Sequence, residues 1–160
     1  MRWLRFASLL CFAAVLQAAL LAHLDIKPDL LLILLVFFAI YSNTNEAIIT
    51  SFSIGFAADI IGPAMGPQMI SFGLFGTAVM YLHRIIAINK IPYQAIAIFI
   101  TGLFAGTLAY FLTSLRIEPA GKNISSILIW TSIYSAIVGP FLFLPTLWLM
   151  SIKTKRFRKY

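Results

Sequence analysis

The sequence predicts an all-α membrane protein, a bundle of six transmembrane helices, from three observations. Hydrophobic residues fill 61% of the 160 positions and charged residues only 11%, against about 25% charged in an ordinary soluble domain. Mean hydropathy is +0.96. The apolar residues fall into six runs divided by short polar or turn-forming stretches. A soluble chain of this length could not hide so much apolar side chain, because its folded surface is too large for its mass. Lipid is therefore part of the solvent.

The first run, about 4–24, opens on Arg2 and Arg5. A cleaved signal peptide would open the same way, with Ala18, Ala19 and Ala22 as its small residues; the length of the run fits an uncleaved spanning helix better. Cys11, the only cysteine, lies inside it. It excludes an intramolecular disulfide and reads as a small buried hydrophobe. A lipoprotein cleavage site is disfavoured, since Ser8-Leu9-Leu10 offers no small residue just before the cysteine. The second run, about 28–43, is led by Pro28 and Asp29. The third covers about 47–61, the fourth 69–82, the fifth 91–115 and the sixth 124–152, followed by a basic tail over 153–160. Runs two to four are short for a hydrocarbon core of about 30 Å, and the last two are long. Short spans draw on flanking residues or local thinning, whereas long ones tilt or kink. Gly139-Pro140 and Pro145 are the kink source in the sixth. No linker is long enough to separate domains, so one transmembrane domain is expected.

The net charge of +7 would point to nucleic acid in a soluble chain, but its placement excludes that reading. Five cations (Lys153, Lys155, Arg156, Arg158, Lys159) crowd the last eight positions directly after an apolar run, a juxtamembrane tail suited to anionic head groups. With both termini cytoplasmic, the inner side collects these five with Arg2, Arg5, Arg84 and Lys90, and the outer side only Lys27, Arg116 and Lys122. Nine against three obeys the positive-inside rule, and Trp3 and Trp148 fall at the inner interface, where such rings sit. A faint echo between residues 46–59 and 93–106, with Gly55 aligned on Gly102, has four identities and is close to chance.

Catalytic groups are scarce. The acids are Asp25, Asp29, Glu46, Asp59 and Glu118, and the histidines His23 and His83 fall at opposite faces of the predicted bundle. No metalloprotease, nucleophile-elbow or phosphate-loop pattern occurs. No enzyme, cofactor or metal is expected. Asp59 is the informative polar residue, because a carboxylate near hydrocarbon must face the bundle interior, neutralise or find a partner. It shares a helix face with Gly55, four positions back, and a small residue there admits a close neighbour. Three roles fit it: an interfacial group reaching outer water, a contact within the bundle or with a partner helix, or a relay for protons or ions. Asp29, behind Pro28, suits the positive end of a helix dipole at a depth similar to Asp59; Lys27, Arg116 and Lys122 are the outer cations available to balance both. Gly102 and Gly106 form a GxxxG, and Gly73 and Gly76 lie close together; such pairs let helices pack tightly, inside the bundle or against another protein. The stretch from Gly62 to Pro67 is a tight reversal.

These stretches together resemble the MreD family. The residues that carry the likeness are PDLLLILLVFFAIY at 28–41, GFAADIIGPAMG at 55–66 and SAIVGPFLFLPTLWLM at 135–150. They supply a proline-led apolar helix, a Gly-x-x-x-Asp helix end before a glycine turn, and a proline-containing last helix before a basic tail. The loop Ser42-Asn-Thr-Asn-Glu46 departs from the pattern, lacking the basic or proline residues often found there. The resemblance implies a non-catalytic scaffold of the bacterial rod-shape machinery in the inner membrane. It would bind the single-span protein MreC and sit with MreB, RodZ, RodA and a class B penicillin-binding transpeptidase. It also implies a fold similar to the six-helix substrate-binding components of energy-coupling-factor transporters. The alternative expectation is therefore a vitamin-type binding subunit of such an importer.

Overall fold

The structure, a computed structural model, describes residues 2–19, 28–62, 66–85, 91–115 and 124–150. The described residues form six helices: α1 (Arg2–Ala19), α2 (Leu30–Tyr41), α3 (Thr44–Ile61), α4 (Pro67–Ile85), α5 (Ile91–Ser114) and α6 (Ile124–Met150). The ends differ from the apolar runs for local reasons. Asp29 caps α2, so Pro28 precedes that helix instead of lying in its first turn. Helix α3 begins three residues before its apolar run, because polar Thr44, Asn45 and Glu46 form a good first turn and Glu46 meets the positive helix end. The loop expected over 42–46 thereby contracts to Ser42-Asn43. Helix α4 starts at Pro67, since proline at the first helical position lacks only an N–H that would be unpaired anyway. Helix α6 continues through Pro140 and Pro145. Residues 20–24 of the first expected span, 151–152 of the last and the basic tail lie outside the described residues.

Contacts between helices define a ring. Helix α2 touches all five others, while around it the neighbours run α1, α3, α4, α5, α6 and back to α1. Every residue from Leu31 to Ile40 is buried, as expected of a helix apolar on all sides and enclosed on all sides. The twelve residues of α2 reach only about 18 Å, so its ends are sheltered by longer neighbours rather than by lipid.

The exterior is apolar as well as the core. Thr50, Ser51, Asp59, Ser71, Gln94, Thr101, Ser132 and Ser135 are buried, while Phe56, Phe104, Phe111, Phe141, Leu144 and Trp148 are exposed. So broad an apolar exterior requires an apolar surrounding. Among the described residues two helices are long and apolar enough to cross a membrane, over Pro92–Ser114 and Ser126–Thr146. Cys11, which reads as buried from sequence, is exposed; it faces a groove of about 700 Å³ between α1 and α3. A second groove, of about 430 Å³, separates α1 from α6. Helix α1 is thus the least closely packed member of the ring.

Candidate functional site

Asp59 lies in the last turn of α3 with 3% of its surface exposed. One carboxylate oxygen accepts the backbone N–H of Gln68 at 2.9 Å, and the other accepts that of Met69 at 2.9 Å. These are the second and third residues of α4, whose N–H groups have no partner within their own helix. The carboxylate therefore caps the neighbouring helix, and its charge meets the positive end of the α4 dipole. Gly66 makes the geometry possible: its φ of 111° turns the chain sharply just before Pro67, in a region that favours glycine. Gly55 sits one turn before Asp59 and brings the two backbones together. A Cβ there would lie 2.6 Å from Met69 Cα and 2.9 Å from the Gln68 carbonyl oxygen. At the far end of the same hairpin an Arg84 Nη donates to the Thr44 hydroxyl.

Asp29 holds a different corner. Its Oδ1 accepts from the N–H groups of Leu31 and Leu32, each at 3.1 Å, and from Gln17 Nε2 at 3.2 Å. Its own N–H donates to Ser135 Oγ at 2.8 Å, and the Gln17 amide oxygen accepts from the Leu31 N–H. One N-cap thus joins α1, α2 and α6, with Pro28 buried beside it. Among the described residues the partners of Asp29 and Asp59 do not overlap. Lys27, Arg116 and Lys122, the cations expected to balance them, lie outside the described residues.

Gly102 and Gly106 both face inward. A Cβ on Gly102 would lie 2.8 Å from Leu32 of α2 and 2.9 Å from the Ser132 hydroxyl of α6; on Gly106 it would meet Leu128 of α6 at 2.7 Å. Gly73 packs against the Phe52 ring, and Gly76 against Ser51 and Leu35. Sequence reasoning missed Gln17, Ser135, Gln94 and Tyr41. Gln94 is buried in α5 and donates to the Tyr41 hydroxyl at the end of α2, at 3.1 Å, while the Tyr41 and Phe37 rings contact Phe143. The signal available was an amide inside an apolar run, at Gln17 and at Gln94.

Chemically, these groups are donors and acceptors already engaged in fastening helices. Among the described residues no buried side-chain nitrogen or oxygen lacks a hydrogen-bond partner, and no three His, Cys, Asp or Glu side chains gather as a metal site. His23 lies outside the described residues.

The fold and this site define a class: an all-helical protein with an apolar exterior and polar groups turned inward to join helices, as suits insertion into a membrane. The family model described as rod shape-determining protein MreD matches residues 1–153. The chain belongs to the MreD family, a family of membrane proteins with a role in rod-shape determination. No curated protein and no solved structure matches it.

Proposed function

We propose that this chain is a non-catalytic scaffold of the bacterial cell-elongation machinery. In this reading it crosses the inner membrane six times with both termini in the cytoplasm, binds MreC, and helps organise peptidoglycan synthesis with MreB, RodZ, RodA and a class B penicillin-binding transpeptidase. The observation that carries it is the family match over residues 1–153. The site agrees in kind. Its buried polar groups hold helices at fixed spacings, which suits a body that presents surfaces to partners. The bundle is then of the kind found in energy-coupling-factor substrate-binding components, used here without a transported ligand.

The test is recovery of the tagged chain from its host in mild detergent, followed by identification of what accompanies it. A single-span protein of the MreC type, in fixed ratio, is the expected companion. A tightly held vitamin-like molecule together with an importer's energising subunits would overturn the scaffold reading in favour of a binding subunit.

A further inference from the structure

The groove between α1 and α6 has a closed end, an open end and a charge at its mouth. Its floor is α2, through Ile33, Leu34 and Phe37; its walls are Leu9, Phe12 and Leu16 of α1 and Leu142, Phe143 and Pro145 of α6. Only Ser8 and Thr146 add hydroxyls, and the Thr146 proton is already donated to the Leu142 carbonyl. One end is shut where Gln17, Asp29 and Ser135 join the three helices. Toward the other end the groove wall on α1 follows positions 8, 9, 12, 13 and 16, and Arg5 continues that same helix face one turn further on. Arg5 is exposed, and among the described residues no carboxylate pairs with it. Trp3, 49% exposed, and Trp148, 84% exposed, stand at this end on α1 and α6, and such aromatic residues mark the head-group level.

Charge and width select the occupant. Ser8 and Leu16 are eight residues apart, about 12 Å along the helix, so the groove is a narrow apolar slot with the exposed cation Arg5 beyond one end. A hydrocarbon chain is slender enough to enter. We propose that the α1–α6 groove binds one acyl chain of an anionic phospholipid, with the lipid phosphate held by Arg5 at the open end. The occupied groove would brace α1 against α6, where protein contact alone is sparse. The inference is independent of which proteins the scaffold binds.

The experiment uses the full chain in phosphatidylethanolamine vesicles with a small fraction of phosphatidylglycerol carrying a diazirine on its acyl chain. After illumination, labelled positions are mapped by mass spectrometry. Label is expected on Leu16 and Leu142, which line the groove and are partly exposed. A diazirine phosphatidylethanolamine should label them several-fold less. Arg5→Gln should lower phosphatidylglycerol labelling of the groove about fivefold, the effect of one cation near an anionic surface. Ser8→Trp, at an exposed position on the groove wall, should abolish groove labelling by either lipid. Labelling of exposed Phe104 on α5 should stay constant throughout, reporting that each variant is folded and inserted. Equal labelling of the groove by both lipids, groove labelling unchanged in Arg5→Gln, or a groove that crosslinks to a partner protein instead of lipid would overturn the proposal.

Discussion

At Asp59 two backbone N–H groups converge on one carboxylate, and the contact can be dissected by substitution. Asp59→Leu removes both acceptors and leaves the N–H groups of Gln68 and Met69 without their carboxylate partner. Membrane polar contacts contribute modestly, so a loss of about 1 to 2 kcal/mol is expected, read as a lower unfolding temperature in detergent at matched expression. Asp59→Asn keeps one acceptor oxygen and should lose about half as much; equal loss in the two variants would show that charge, not hydrogen bonding, dominates. Glycine offers a second test. At Gly55 an added Cβ strikes the α4 backbone, whereas at Gly73 it strikes only the Phe52 ring. Gly55→Ala should therefore be the more damaging, by the same thermal measurement, because a ring can turn aside and a helix backbone must shift. The sequence singled out Asp59 and Gly55 because a carboxylate and a small residue on one apolar face demand explanation. It did not disclose their partner, since backbone N–H groups carry no residue signature and the expected balance of charge looked to lysine and arginine. At Asp29 the capping role was legible from Pro28-Asp29, but the Gln17 and Ser135 contacts needed the fold, being separated from it by 12 and 106 residues.

Helix by helix, the six segments were legible as apolar runs, and their ends were less so. Thr44, Asn45 and Glu46 read as loop because they are polar, yet they form the first turn of α3, where polarity is favourable. The GxxxG of α5 was legible as a packing face, but not its partners, which are Leu32 of α2 and Ser132 and Leu128 of α6. Those contacts give a graded expectation. Gly102→Val meets two helices at once and should cost about 1 to 3 kcal/mol, as overpacking does. Gly106→Ala meets the tip of a single leucine, which can rotate away, and should cost less. The ordering is checked by thermal unfolding of the two variants, together with crosslinking between α5 and α6.

For the whole molecule, what sequence could not supply was the order of the ring. Leucine-rich α2 is apolar on every side, and in a membrane that pattern fits a helix facing lipid as well as one at the centre. The structure places it at the centre because every neighbour contacts it. Cys11 illustrates the same ambiguity, since a thiol in an apolar run can face protein or lipid, and here it is exposed. The proposed topology has its own check. Cysteines introduced at Gly121 and Tyr160 should react from opposite sides of the membrane, Gly121 from outside and Tyr160 from inside; reaction from one side would sink the six-span arrangement. The scaffold reading is tested most directly by depleting the protein in its host while following cell shape and the site of wall synthesis. Rounded cells with mislocalised wall synthesis are expected, restored to rods by the wild-type chain. Depleted cells that remain normal rods and instead require a vitamin would contradict that reading.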